Sequence, residues 1–367
     1  MPPLKILHLS SERSWRGGEQ QIAYLLESLV AQGVQVKVLA RKASAFAKWC
    51  HERGIDCIEA PFTNAFDLQT VWAIKRAAQW WQPDIIHCHS GKAHSLVYLA
   101  TLLGVNKPVV VHRRVDFALS NSVIKRAKYE HPSVKRIICV SEAIAGIVKP
   151  SLKHPRKICT VHSGIDFDRF PQTGKSGYLH QTFKIASAKK LVGMVAALAP
   201  HKDYGTFISA AAKVLVHRDD VHFFAIGSGQ LDVELKQLVE SLGIGSAFTF
   251  TGFRNDVANI LQELDIFVLT SRTEGLGTSL IDAMYNALPV VASRAGGIPE
   301  LVEHQVTGLL CAVGGVEGFA ESINQLLDND SLSKKYGLEG KARSMKFSRN
   351  TMAEEILKLY REVLEEQ

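Results

Sequence analysis

Glu274 and Asp282 fall in the stretch TEGLGTSLIDAM, residues 273–284, the first in a glycine-punctuated turn and the second on a run of helix formers. The apolar run DIFVLTS leads in and SLIDAMYNAL leads out, so the order is strand, turn, helix. Gly275, Leu276 and Gly277, followed by Thr278 and Ser279, present unpaired backbone N–H groups at the helix start. The macrodipole favours negative charge there, and a phosphate suits the position. Glu274 precedes those amides and is itself anionic, which suits it to accept hydrogen bonds from hydroxyls. Asp282, about one turn into the helix, can reach a second set of hydroxyls along the same ligand. A diphosphate flanked by two polyols is a nucleotide sugar. A plainer account of the same residues has Glu274 capping the helix, Asp282 complementing its dipole and the glycines only making a turn.

The elements that must position this motif alternate along the chain. LKILHLS, VQVKVLA, DIIHCHS, PVVVHRR, RIICVS and ICTVHSG read as short buried strands, separated by helical stretches such as GEQQIAYLLESLVAQG and LQTVWAIKRAAQWW. Residues 166–183, DFDRFPQTGKSGYLHQTF, break the pattern as a linker would. The alternation resumes with LVGMVAAL, VHFFAIGSG, AFTFTGF, DIFVLTS, PVVASRAGG and TGLLCAV. The expected fold class is α/β, with two doubly wound, Rossmann-like domains facing an interdomain cleft. Ligands in such folds sit beyond the carboxyl ends of the strands, which nominates Ser10–Gly18, His87, His89, His112–Arg114 and Ser141 in the first half. Ala199–Asp203, Gly227–Gly229, Gly252–Asp256, Ser271–Thr278 and Arg294–Glu300 are the corresponding positions in the second.

A chain of 367 residues with 46% hydrophobic and 22% charged residues has the length of two domains and the composition of a globular protein. No apolar run is long enough to span a bilayer and no leader is evident, so a cytoplasmic location is expected. Six cysteines without paired short spacing read as reduced and largely buried. In HCH, residues 87–89, the two histidines share one face of a strand, but no third ligand at a recognisable spacing accompanies them, and no metal is expected. The net charge of +7 divides into +12 over residues 1–180 and −5 over the rest. The basic excess is densest over residues 107–157, which suits either a solvated face or an anionic partner such as a membrane surface or a phosphate-bearing acceptor. No nucleic-acid-binding module is present in the pattern.

The run SRTEGLGTSLIDAMYNALPVVASRAGGIPELVEHQVTGLL, residues 271–310, resembles the donor-binding signature of glycosyltransferase family 4, retaining enzymes of GT-B fold. RGGEQQ, PDIIHCHS, PVVVHRR, ICVSE, HSGIDFDRF, HKD and FTGFRNDV fall in the family's order, and MAEEILKLYREVLEEQ matches its final helix, which crosses back to the first domain. The resemblance implies an acceptor-binding domain over 1–170, a nucleotide-sugar-binding domain over 171–346, and a helix over 347–367 that packs on the first domain.

Carried over residue by residue, the resemblance makes Glu274 the contact to the donor sugar hydroxyls and Asp282 the ribose contact. The family carries Glu at the latter position, and the missing methylene shortens the reach by roughly 1.5 Å, enough to turn a direct bond into a water-mediated one. Lys202 matches the lysine of the diphosphate clamp, whereas the clamp arginine falls on Ala197, for which His201 or Arg272 could substitute. Lys202 and the amides of Gly17, Gly18, Gly275, Leu276, Gly277 and Thr278 remain to hold the leaving diphosphate. His112 matches the histidine near the anomeric centre, Phe253 and Arg254 the loop lining the base, and Glu300 a recurrent glutamate. His89, Arg113 and Arg114 are candidates for an acceptor or phosphate.

The reading is a retaining, metal-independent hexosyltransferase with no cofactor beyond its nucleotide-sugar co-substrate, UDP- or GDP-sugar ahead of ADP-sugar. The acceptor is expected to be a surface glycan or lipid-linked glycan, with peripheral membrane contact through 107–157 at the inner face of the membrane and no nucleic acid. Same-face departure, in which the leaving phosphate takes the acceptor proton, fits the lack of a convincing pair of catalytic carboxylates. The alternatives are an epimerase or hydrolase on the same fold, or a nucleotide-sugar-binding module without turnover. The fragment AIGSGQ is a weak trace of a dinucleotide fingerprint.

Overall fold

The computed structural model describes residues 3–119, 122–171 and 174–366, apart from the side chains of 123–125. Gln172 and Thr173 of the expected linker, and the Lys125 side chain of the basic stretch, thus lie outside the described residues. Among the described residues, contacts divide the chain into two compact units, one of residues 1–165 with 348–367 and one of residues 166–347.

The first unit is built on seven strands: β1 Lys5–Ser10, β2 Gln35–Arg41, β3 Cys57–Ala60, β4 Ile85–Cys88, β5 Val109–Arg113, β6 Val134–Cys139 and β7 Ile158–Thr160. Their order is β3-β2-β1-β4-β5-β6-β7, and each pairing is parallel. The second unit has six: β8 Lys190–Val195, β9 Val221–Ile226, β10 Phe248–Gly252, β11 Ile266–Leu269, β12 Val290–Ser293 and β13 Leu309–Cys311. Their order is β10-β9-β8-β11-β12-β13, again all parallel. Strands such as IIHC of β4 and VHFFAI of β9 are buried along their whole length because helices cover both faces. In each sheet the winding direction reverses once, between β1 and β4 and between β8 and β11. Those reversals open a crevice at the carboxyl ends of the neighbouring strands.

The final helix, Arg349–Glu365, belongs to the first unit. Ser348 caps it by accepting from the Thr351 amide. Its apolar face, Met352, Ala353, Ile356, Leu357, Tyr360 and Val363, packs on Ile6, Ile85, Val110 and Ile138 of four adjacent strands. Asp166–Phe170 belongs to the second unit instead of the first, five residues earlier than the sequence reading divides the chain. Phe167 stacks on Tyr285 with ring centroids 4.3 Å apart, Phe170 lies against the same ring, and the Ser176 and Gly177 amides donate to Glu263 at 2.6 and 2.9 Å. Much of the expected linker is therefore tied to one unit by its aromatic and backbone groups.

Candidate functional site

At the β8/β11 reversal, two loops meet. One follows β8 and carries the short helix Pro200–Lys202. The other follows β11 and runs through Glu274 into the helix Thr278–Tyr285. The Arg272 amide donates to the His201 carbonyl at 2.8 Å and Thr270 Oγ1 to the Asp203 carbonyl at 2.8 Å, so the loops are fastened together. Lys202 Nζ and Glu274 Oε2 form an ion pair across them, and Ser271 Oγ donates to the same carboxylate oxygen at 3.2 Å. Both charged groups are mostly buried, with side-chain exposures of 18% and 15%, a setting in which a charge pair is screened far less than at a surface.

Backbone packing sets Glu274. Its carbonyl accepts from the Gly297 amide at 3.1 Å, and a Cβ on Gly296 would stand 1.9 Å from that carbonyl oxygen. The glycine pair of RAGGIPE therefore holds the acidic loop by close approach. Gly277 starts the signature helix at φ 95°, a left-handed conformation that glycine adopts without strain. Leu276 is buried at its side chain and offers only backbone to a ligand, while Thr278 is partly exposed at the first helical position.

Asp282 is buried four positions into that helix and forms an ion pair with Arg169. Burial raises its carboxyl above the usual range, and the guanidinium opposes that rise. The ribose contact expected of Asp282 would compete with this pair. Ala197 is exposed, and Arg272, one of the two expected substitutes for the missing guanidinium, is drawn to Asp203, with Nε 3.0 Å from the carboxylate. In the loop after β10, Arg254 is engaged by Asp256 at 2.7 Å and by the Tyr178 hydroxyl, while the Phe253 ring is exposed.

The first unit presents different chemistry at its own reversal. His8 of β1 lies in register with His87 of β4, His89 follows on the same face, and His112 of β5 joins them. His8 Nδ1 lies 2.9 Å from His89 Nε2, and His87 Nδ1 lies 2.5 Å from the hydroxyl of Tyr360 on the final helix. His87 and His112 stack with planes 3° apart. Arg114 Nη2 lies 3.3 Å from His89 Nδ1 and 3.2 Å from His112 Nδ1, while its Nε and Nη1 are buried without a partner. The Nε2 atoms of His8, His87 and His112 are likewise buried and unpartnered. Burial brings His8 down to about 3 and holds His87, His89 and His112 well below the usual range, with Arg114 adding to the effect at all three. All four rings are neutral at pH 7.

Two family models cover most of the chain. Residues 179–343 match glycosyl transferases group 1, and residues 15–169 match Glycosyltransferase Family 4. The chain belongs to glycosyltransferase family 4. A curated relative from Escherichia coli, UDP-Gal:alpha-D-GlcNAc-diphosphoundecaprenol alpha-1,3-galactosyltransferase, is 27% identical over 284 residues, spanning 73% of this chain and 72% of the relative. N-acetyl-alpha-D-glucosaminyl L-malate synthase of Bacillus anthracis is 28% identical over 285 residues, 74% of this chain and 72% of the relative. Among solved structures, Anabaena HepE in complex with UDP and glucose superimposes with a TM-score of 0.86 at 22% identity, covering 97% of this chain and 99% of that one. The fold shared with such structures is GT-B.

In this family 4 glycosyltransferase, the Lys202 and Glu274 of the sequence reading are brought together, as are His89, His112 and Arg114. Arg113 is not: strand alternation turns it to the opposite face, where it donates to the Phe117 carbonyl and packs on the Phe117 ring. Ser141 is engaged as a helix cap, accepting from the Ile144 amide at 3.2 Å. Gly17 and Gly18 open the helix Gly17–Ala31, so their amides belong to the first turn, whose N–H groups have no intrahelical acceptor. HCH has no third ligand at a recognisable spacing, but the fold supplies a third imidazole: His8 arrives through strand pairing from 79 residues upstream of His87. His8, His87 and His89 bring ligand atoms within 4.8 Å of one another. No carboxylate is hydrogen-bonded to these rings among the described residues, and a guanidinium stands against one of them. Neutral imidazoles are donors that transition-metal ions accept, and the neighbouring guanidinium is a donor that anions accept, so the cluster offers both chemistries.

The fragment AIGSGQ also has a structural account: a Cβ on Gly227 would lie 2.0 Å from the Ala196 carbonyl oxygen, so the glycine admits the loop after β8. Much of the basic stretch 107–157 is engaged internally. Lys128 donates to Gly91 and Ser95 at 2.9 Å each, Lys157 to the His131 carbonyl at 3.2 Å, and Arg136 pairs with Glu366. Among the described residues, no helix is long and apolar enough to cross a membrane.

Proposed function

We propose that this glycosyltransferase moves a hexose from a UDP-sugar to a hydroxyl of an acceptor that bears an anionic group, with retention at the anomeric carbon and without a metal ion. The observation that carries the donor half is the Lys202–Glu274 pair beside the amino end of the signature helix. A bound diphosphate draws Lys202 and the amides from Gly275 to Thr278, which releases the Glu274 carboxylate for the sugar hydroxyls. The bond from the anomeric carbon to the diphosphate oxygen breaks as negative charge develops on that oxygen. Lys202 and the helix amides stabilise it. The acceptor oxygen bonds to the same face, and its proton passes to the departing phosphate oxygen. His112, neutral and close to Arg114, binds a hydroxyl near the reacting centre.

The acceptor half rests on Arg114, whose Nε and Nη1 lack partners, and on the unpartnered His112 Nε2. A buried guanidinium with free donors is suited to a phosphate or carboxylate. The two relatives carry related chemistry in their names, a diphosphoundecaprenol acceptor in one and an L-malate product in the other. A lipid-linked glycan is the acceptor class proposed, in the assembly of a surface polysaccharide.

The test is a panel of UDP-, GDP- and ADP-sugars, following thermal stabilisation and nucleotide release with wild type and Glu274→Ala. Stabilisation by UDP-sugars, with slow release lost in the variant, is the expected outcome. Absence of stabilisation by every nucleotide sugar at millimolar concentration overturns the proposal, and release unaffected by Glu274→Ala removes that residue from the site.

A further inference from the structure

The helix Leu68–Trp81 carries an unusual surface. Phe66 just before it, then Leu68, Trp72 and Trp80 on it, are 74%, 69%, 68% and 80% exposed. Leu68, Trp72, Arg76 and Trp80 follow at four-residue intervals and occupy one stripe, about 21 Å long for a helix of this length. Val71, Ile74, Ala77 and Ala78 face the core, so the helix has an ordinary buried side and a second apolar side turned outward. Leu102 and Leu103, at the end of the neighbouring helix Gly91–Leu102, are exposed as well. A contiguous outward-facing run of this kind marks an interaction surface, since scattered apolar residues would not align.

Charge around the stripe selects the partner. Arg76 leans over the Trp80 ring at 5.9 Å, and Lys75 flanks it. Between residues 61 and 107 the sequence holds two acids, Asp67 and Asp84. Both are turned to backbone amides: Asp67 caps the helix, accepting from Thr63 and Thr70, and Asp84 accepts from Lys5. Indole rings and a leucine interspersed with long cationic side chains, on a helix exposed along its length, match the headgroup boundary of a bilayer, where rings enter the acyl region and cations reach anionic lipid. A protein interface enriches Trp and Arg as well but is depleted of Lys, which flanks the stripe at Lys75. We propose that the face formed by Phe66, Leu68, Trp72, Arg76 and Trp80 docks the first unit on an anionic lipid surface, in place of the basic stretch 107–157.

The experiment is co-sedimentation with vesicles of phosphatidylcholine containing phosphatidylglycerol, compared with phosphatidylcholine alone and without nucleotide sugar, so that its failure is separate from failure of the transfer reading. Wild type is expected to bind the anionic vesicles. Trp72→Ser with Trp80→Ser should lower the partition coefficient by roughly tenfold or more, and Lys75→Gln or Arg76→Gln by roughly fivefold each. Lys149→Gln with Lys153→Gln and Arg156→Gln should leave it near wild type. Unchanged far-ultraviolet dichroism and melting temperature, without nucleotide sugar, show that the variants are folded. The proposal fails if wild type ignores anionic vesicles, or if the tryptophan variant binds them as wild type does. It also fails if that variant instead abolishes a dimer seen by sedimentation velocity, which would give the face to a second copy of the chain.

Discussion

The two units share a winding order and differ in what they bury at its reversal. In the second, two acidic side chains of the signature each meet a cation: Glu274 with Lys202 and Asp282 with Arg169. In the first, four neutral imidazoles and one guanidinium are gathered with no carboxylate bonded to them. One arrangement holds balanced charges, and the other holds buried ring and guanidinium nitrogens without partners among the described residues. The same fold thus offers two electrostatic environments because the strand-end residues, not the strands, set the chemistry.

The largest effect that would test this division is on turnover. Glu274→Gln or Lys202→Ala should lower kcat/KM for transfer by about a thousandfold, the scale of losing a charge-stabilising group at a reaction centre. His112→Ala should cost about a hundredfold, mostly in kcat, with donor stabilisation retained. Equal losses, accompanied by loss of donor binding in His112→Ala, would erase the division.

Acid should separate the units next. Above pH 6.5 the four histidines are neutral in folded and unfolded chain alike and contribute nothing to the pH dependence. As pH falls below 6.5 the unfolded chain takes up protons that the buried rings refuse, so stability drops by up to about 1.4 kcal/mol per pH unit for each ring that stays neutral. That loss continues toward the folded value, about 3 for His8. All five tryptophans, Trp15, Trp49, Trp72, Trp80 and Trp81, lie in the first unit. Tryptophan emission should therefore report unfolding at a higher pH than the remaining far-ultraviolet dichroism, and coincident transitions would contradict the assignment.

A smaller effect is expected at Arg169. Arg169→Ala leaves Asp282 buried beside no cation and should destabilise the second unit by about 2–3 kcal/mol in urea unfolding, with Asp282→Asn recovering much of the loss. No recovery would mean that Arg169 acts by packing on Phe170, 4.7 Å from its ring, and not by charge. The smallest effect belongs to Tyr360→Phe, which removes the hydroxyl from His87 and should cost about 1 kcal/mol together with a few-fold drop in kcat. Wild-type kcat in that variant would separate the final helix from the histidine cluster.

Most strands could be read along the chain because each is a short apolar run between turn residues; five of the six in the second sheet fall within their expected segments, and β8 begins one residue before its own, at Lys190. β3, CIEA, escaped notice because a four-residue run broken by Glu59 and only partly buried is too short to show a period. Lys202 and Glu274 were legible as members of one site because each sits in a motif of its own. Their ion pair was not, since it spans 72 positions and depends on β8 and β11 being neighbours.

The sequence by itself determined the local pieces: buried strands, a glycine turn entering a helix, and a histidine pair at every second residue. Local backbone preference and hydrophobic period encode such features within about ten residues. The tertiary structure decided the meetings. Strand pairing brought His8 to His87, the final helix brought Tyr360 to the same ring, and Arg169 came to Asp282 from the segment where a linker was expected. Strand alternation sent Arg113 to the far face from its neighbour Arg114. Those outcomes depend on which parallel strands adjoin and which face a helix covers, and they arise only when the whole sheet buries its apolar surface at once.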